Sequence, residues 1–197
     1  GTNWTEVNDL TTGRGGGAGA GTTTAGLAFG GQPPGTGKTE SWNGTNWTEV
    51  NDLNTSRFYM SGGGTQTSAL AFLGDTPPIT AKTESWNGTN WTEVNDANTS
   101  RKELAGGATD NTSAIAFAGD NNSNYQATTE TWNGTNWTET NDLNTARAKV
   151  GGTGTVPSAI LFGGTTPPTT AISEEWTGAG QPIGAWSTGG NLNTGRR

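Results

Sequence analysis

The chain has 197 residues, 33 of them glycine, with a hydrophobic fraction of 28% and a net charge of −7. Its ten Lys and Arg are scattered rather than clustered, which disfavours nucleic acid, because phosphate binding needs grouped cations to displace counterions. It contains no Cys and no His, so disulfides and thiolate metal sites are excluded, and the commonest general base and transition-metal ligand is missing.

No stretch reaches the roughly 20 apolar residues of a membrane span, and no signal peptide opens the chain. It begins inside a repeat, at Gly1-Thr2-Asn3-Trp4, and reads as a piece of something longer. The low hydrophobic fraction alone would suggest disorder, but nine Trp argue for a fold of many thin units, each burying a few aromatics.

The repeat governs everything else. Thr39-Glu40-Ser41-Trp42-Asn43-Gly44-Thr45-Asn46-Trp47 returns almost unchanged at 83–91 and 129–137, and in diverged form from Ser173 to Trp186. The series Trp4, Trp47, Trp91, Trp137 and Trp186 has spacings of 43, 44, 46 and 49 residues, a propeller-blade period of about 45. In chain order this predicts a surplus fourth strand in 1–13, with Thr2 to Val7 as the strand, then units at 14–56, 57–100, 101–146 and 147–195.

Each unit carries four strand-like segments, as the third shows. Lys102 to Gly107 is Gly-rich and short, Ser113 to Gly119 is small and apolar, Thr128 to Trp132 leads into Asn133-Gly134, and Asn136 to Thr140 alternates Trp137 and Glu139 with Thr. Asn-Gly predicts a tight type I′ hairpin. Four short strands per unit, with no helical periodicity, predict an all-β propeller of four-stranded antiparallel blades. A stacked solenoid would share the fixed period, but hairpin pairs favour the blade. Phe29, Phe72, Phe117 and Phe162, with Trp4, Trp42, Trp47, Trp86, Trp91, Trp132, Trp137, Trp176 and Trp186, are expected to fill the space between blades.

These units resemble the kelch repeat, in which an apolar strand ends in Gly-Gly and is followed by spaced aromatics and an Arg. The matching residues are Leu27-Ala28-Phe29-Gly30-Gly31, Trp42, Trp47 and Arg57, and again Ile160-Leu161-Phe162-Gly163-Gly164, Trp176, Trp186 and Arg196. The middle units depart from the doublet, with Leu73-Gly74-Asp75 and Ala118-Gly119-Asp120. The near-identical TESWNGTNWTEVNDLNT-type units are also similar to the repetitive kelch-like proteins of marine bacteriophages, which implies a virion, tail-fibre or other extracellular setting. Four complete units plus a surplus strand suggest part of a five-bladed or larger ring, or of a longer array; a four-bladed ring with a frayed strand is the alternative.

Candidate chemistry is thin. Glu40, Glu84, Glu130 and Glu174, with Glu6, Glu49, Glu93 and Glu139, offer the carboxylates of an acid/base pair. They recur once per blade, however, which favours structural contacts with Arg14, Arg57, Arg101 and Arg147. Asp52/Asn54, Asp96/Asn98 and Asp142/Asn144 lack the spacing and distal Glu of a calcium loop and read as Asx-turns. The run Arg14-Gly15-Gly16-Gly17-Ala18-Gly19 has no helix after it to hold phosphate and reads as a first strand near the propeller axis. Eleven Asn-x-Ser/Thr sequons, among them Asn3, Asn43, Asn46 and Asn121, matter only in a glycosylating host. No catalytic residue, metal or cofactor is expected. Some kelch-like propellers are copper oxidases, but that chemistry uses His, Tyr and Cys.

The units differ from one another in two places. The second-to-third connections are Gln32-Pro33-Pro34-Gly35, Asp75-Thr76-Pro77-Pro78-Ile79, Asp120 to Tyr125 and Thr165-Thr166-Pro167-Pro168. The residues after each Arg are Gly15 to Gly17, Phe58 to Met60, Lys102 to Leu104 and Ala148 to Val150. Strand alternation places both sets on one face of a ring, where recognition loops are carried. Phe58, Tyr59, Thr76, Pro77, Pro78, Asn121, Asn122, Tyr125, Thr166 and Pro167 are the expected contacts, with a glycan or protein receptor as partner. A purely structural fibre unit, which predicts self-association and no ligand, is the alternative.

Overall fold

A computed structural model describes residues 2–178 and the backbone of 185–188. It contains four sheets of four antiparallel strands, each built from consecutive strands. Blade 1 holds β1 (Ala18–Gly21), β2 (Gly26–Phe29), β3 (Thr39–Trp42) and β4 (Trp47–Val50). Blade 2 holds β5 (Ser61–Gly64), β6 (Ala69–Phe72), β7 (Thr83–Trp86) and β8 (Trp91–Val94). Blade 3 holds β9 (Ala105–Asp110), β10 (Ser113–Phe117), β11 (Thr129–Trp132) and β12 (Trp137–Glu139). Blade 4 holds β13 (Gly151–Thr155), β14 (Ser158–Phe162), β15 (Ser173–Thr177) and β16 (Ala185–Thr188). The fold is all-β and blade-built, as the period predicts.

The first strands line the axis, with β1 against β5, β5 against β9 and β9 against β13. Small residues permit this approach. A Cβ on Gly63 would stand 2.6 Å from the Ala108 amide nitrogen, and one on Gly107 2.2 Å from the Gly154 carbonyl oxygen. The Gly-rich segments are therefore the inner wall. The first strand starts later than the composition suggests: in blade 3 it begins at Ala105, and Lys102 to Leu104 stand outside it at the mouth of the axis.

The second strands of blades 2 and 3 bury residues on both faces because each lies between two neighbouring blades. Leu70, Ala71 and Phe72 are fully buried, as are Ile115, Ala116 and Phe117. The Phe of blades 1 and 2 reach the fourth-strand Trp of the next blade, Phe29 to Trp91 at 4.9 Å and Phe72 to Trp137 at 5.1 Å between ring centres. The same Trp also meets its hairpin partner, with Trp86–Trp91 at 5.3 Å and Trp132–Trp137 at 5.7 Å. Its indole N–H donates to the third-strand Thr of the preceding blade, Trp91 to Thr39 Oγ1 at 3.0 Å and Trp137 to Thr83 Oγ1 at 2.9 Å. This lock of Phe, Trp and Thr joins blade 1 to blade 2 and blade 2 to blade 3.

Several expectations are corrected. Thr2 to Val7 forms no strand, and Trp4 stands fully exposed rather than in the core. Trp47 is only half-buried and Phe162 is 38% exposed, because both sit on the end faces of the blade series. The Asn-Gly hairpins are four-residue loops between paired Trp, not two-residue type I′ turns. Only the Gly is left-handed, while the Asn43 side-chain oxygen accepts from the amides of Thr45 and Asn46, at 2.9 and 2.8 Å. The side chain of Trp186, and Arg196 with the expected end of the last unit, lie outside the described residues.

Candidate functional site

The structure brings both variable sets to one face. Each post-Arg residue pairs with the start of its own second-to-third loop: Gly15 with Gln32, Phe58 with Asp75, Lys102 with Asp120 and Ala148 with Thr165. The other ends of the blades carry the near-constant hairpins. These are tied in series by Asn8, Asn51 and Asn95, whose amides donate to the backbone carbonyls of Thr45, Thr89 and Thr135 in the following hairpin.

Around the axis the four blades repeat one backbone device. Gly16, Tyr59, Glu103 and Lys149 all have positive φ, at 67°, 50°, 53° and 55°. The Tyr59 amide donates to the Gly16 carbonyl (2.6 Å), Glu103 to Tyr59 (2.9 Å) and Lys149 to Glu103 (2.9 Å). Three of the four are non-glycine residues in a sparsely populated region, a type of strain that gathers at binding sites. The device turns the following residue inward and frames a cavity of about 450 Å³ lined by Gly16, Gly17, Tyr59, Met60, Glu103, Leu104, Lys149 and Val150. Met60 and Leu104 are buried at its floor, while Tyr59 and Lys149 are exposed at its rim. The Tyr59 hydroxyl accepts from Gln32 Nε2 at 2.7 Å.

Of the ten residues expected to make contacts, Tyr59 alone lines this cavity. Phe58 stands behind it, edge-on to the Tyr59 ring at 5.0 Å. Asn122, Tyr125 and Pro167 meet in a separate hollow of about 370 Å³ between the loops of blades 3 and 4, with Asp120, Ser123 and Asn124. Asn121 spends its side-chain oxygen on the amides of Ser123 and Asn124. Thr76 donates to the Pro78 carbonyl and Thr166 to that of Pro168, so both hydroxyls hold their own loops. Pro77, Pro78 and Pro167 project from the face. Glu103 and Lys149 were missed because exposed charges at variable positions look like solvated surface. Their common place, two residues after each repeated Arg, was the available signal.

The repeated carboxylates are structural. Glu84 accepts from the Asn54 amide and side chain, the Thr55 amide and Arg57. Glu130 accepts in the same way from Asn98 and Arg101, and Glu40 from Thr11 and Arg14. Glu174 accepts from Asn144, and its Oε1 lies 2.9 Å from Arg147 Nη2 without hydrogen-bond alignment. Each set pins the link entering a blade to the third strand of that blade. Burial pushes the Arg57, Arg101 and Arg147 guanidinium groups down from their ordinary value, against the pull of the paired Glu. The second set lies outside: Glu49 and Glu93 pair with Lys38 and Lys82 at the surface, and Glu6 is exposed. Asp52 and Asp142 are not Asx-turns, since they accept from the third-strand amides of Thr39 and Thr129. No group of three or more acidic side chains placed to hold a metal occurs among the described residues.

No family model matches the chain, and no curated protein does. Among solved structures, that of YjhT aligns with a TM-score of 0.77 at 10% identity, over 95% of this chain and 68% of that one. The likeness defines the class: a protein of consecutive four-stranded blades with the propeller fold. At this identity it speaks for the fold alone.

Proposed function

We propose that the chain is a non-catalytic recognition module that binds a glycan through the loop face, centred on the cavity framed by Tyr59, Glu103 and Lys149. The observation that carries this reading is the placement of variation. Repeats that are nearly identical at their hairpin ends differ at every residue lining the cavity, from Gly16-Gly17 to Tyr59-Met60, Glu103-Leu104 and Lys149-Val150. A phenol, a carboxylate and an ammonium group over an apolar floor supply donors, acceptors and a stacking surface, the mixture that hydroxyl-rich ligands need. The hollow beside Tyr125 and Pro167 extends the same surface. The resemblance to repetitive kelch-like bacteriophage proteins supports a virion or cell-surface setting for such a module.

A glycan array is the test. Binding that is lost in Lys149→Met, Glu103→Gln and Tyr59→Phe, each with an unchanged thermal midpoint, supports the reading. Binding unaffected by all three overturns it. A protein receptor is the second reading, favoured by the exposed prolines at 77, 78 and 167; it predicts an empty array and dependence on those loops.

A further inference from the structure

On the loop face, the residue after each repeated Arg reaches across to the second-to-third loop of the preceding blade, and the three blade boundaries are filled differently. Between blades 1 and 2 the Phe58 ring lies against the blade 1 loop, where a Cβ on Gly35 would stand 3.2 Å from it. Between blades 2 and 3 Lys102 takes the same place, and its ammonium donates to Asp75 Oδ2 at 2.7 Å. That bond raises the Lys102 ammonium above its ordinary value against the opposing effect of burial, and the fields of Glu103 and Asp120 add to the rise. Between blades 3 and 4 the equivalent residue is Ala148, which has no charged group to offer. Asp120 stands in its loop where Asp75 stands in the loop before, each bridged to the post-Arg residue of its own blade. Asp75 has its lysine; Asp120 has no ion pair among the described residues.

Beside that carboxylate lies the hollow of about 370 Å³ between the loops of blades 3 and 4. One oxygen of Asp120 accepts from the Asn122 amide at 2.7 Å and holds the turn, while the other has no partner among the described residues. The loop is otherwise held by Asn121, whose side-chain oxygen takes the Ser123 and Asn124 amides, and by Gln126, which donates to the Asn124 carbonyl. The side chains of Asn122, Ser123 and Asn124 and the Tyr125 hydroxyl all line the hollow and make no hydrogen bond among the described residues. They are surplus to the folding of the loop.

We propose that this hollow is a subsite for a primary ammonium group carried by a hexosamine residue with a free amine, Asp120 receiving the ligand as Asp75 receives Lys102. The sugar half of this inference rests on the glycan reading; the ammonium half rests on the Asp75–Lys102 pair. A lysine side chain from a protein would also satisfy Asp120, but it would leave two amides, a hydroxyl and a phenol unused. An amino sugar offers them its own hydroxyls. A calcium ion fits less well. Asp120, Asn122 and Asn124 alternate as at the start of a calcium loop, but Tyr125 stands where that loop needs glycine, and Thr131 stands where it needs its distal Glu.

Calorimetric titration with a glucosamine trisaccharide and with its fully N-acetylated form, at a pH where the free amine is protonated, tests it. The expected result is a preference of about tenfold or more for the free amine, the size of a charge-assisted hydrogen bond. Asp120→Asn should remove that preference while keeping an oxygen for the Asn122 amide. Ala148→Lys should remove it too, by placing an ammonium where Lys102 stands one blade earlier and leaving the carboxylate in place. A melt matching that of the parent qualifies each variant, and either one suffices. Equal affinity for the two sugars, or a preference that survives the substitutions, overturns the inference and leaves the glycan reading standing. If neither sugar binds, the glycan reading and the hexosamine assignment both fall, and n-butylammonium decides the rest. Shifts of the Tyr125 ring resonances that vanish in Asp120→Asn keep the ammonium subsite, and their absence overturns it. Asp120-dependent calcium binding would make the loop a metal site and overturn it as well.

Discussion

Phe72 and Phe162 occupy the same place in the repeat, on strands of similar sequence, yet one is completely buried and the other 38% exposed. The interior face of blade 2 is covered by blade 3, which supplies Trp137 above the ring and Gly106 beneath it. The end face of blade 4 has nothing over it among the described residues. The comparison shows that a blade does not own its core. Apolar residues on a second strand gain their stabilisation from the neighbour, so near-identical repeats contribute unequal amounts according to position, as in other quasi-one-dimensional arrays.

The largest expected effects break the interior. Phe72→Ala should cost about 3–5 kcal/mol, the usual range for emptying a buried ring, whereas Phe162→Ala in the dilute monomer should cost less than about 1 kcal/mol. Chemical denaturation of both variants checks the difference, and equal losses would mean that the end face is covered in solution. Glu130→Ala should match the first of these, at about 3–5 kcal/mol, because it strands the buried Arg101 guanidinium and the Asn98 amide. Its surface counterpart Glu93→Ala, which loses only the exposed Lys82 pair, should cost about 1 kcal/mol or less.

A smaller effect reads blade 1 through pH. Burial alone would raise the Glu40 carboxyl, but hydrogen bonds from Thr11 and Arg14 outweigh it and hold the group below its ordinary value of 4.5. A carboxyl depressed in the folded state contributes stability that is present above its unfolded pKa and lost as pH falls through the folded one. Blade 1 should therefore loosen as pH drops below about 4.5, and Glu40→Gln should flatten that part of the stability profile. A melting series from neutral to acid pH reads it, and an unchanged slope in the variant would remove Glu40 from the account.

Much of this was legible in the sequence, and the reasons are physical. A fixed period with two aromatics and a Gly-rich strand per unit specifies a blade, because each feature answers a packing need that recurs at every interface. The Glu–Arg pairing was readable for the same reason, since charges repeated once per blade are charges the blade uses. Even the departures from the Gly-Gly doublet leave the backbone alone: Leu73 and Ala118 take the same left-handed φ, 63° each, as Gly30 and Gly163 at 67° and 65°. Position within the series was not legible. Trp4, Trp47 and Trp137 share one local sequence, and nothing in it says which has a neighbour. The cavity was half readable: the variable segments were identifiable, but which of their residues turn inward depends on the left-handed step at Tyr59, Glu103 and Lys149, which side-chain pattern does not encode.

Those three tryptophans make the finest test of the comparison, because the residue and its local sequence are held nearly constant while the surroundings change. Trp137 packs on Phe72 and Trp132 and donates to Thr83; its replacement by Ala should cost about 3–5 kcal/mol. Among the described residues Trp47 has one ring partner, its hairpin neighbour Trp42 at 5.3 Å, and no Phe from a preceding blade. Trp47→Ala should lose the pair term and part of the burial, on the order of 1–2 kcal/mol. Trp4 is fully exposed, so Trp4→Ala should leave the unfolding midpoint of the monomer within about 0.5 kcal/mol. If blade position sets the worth of the residue, the three losses fall in that order. A Trp4 loss as large as that of Trp47 would instead mean that Thr2 to Val7 is paired in solution, and that the open end of blade 1 is covered by its own leading segment.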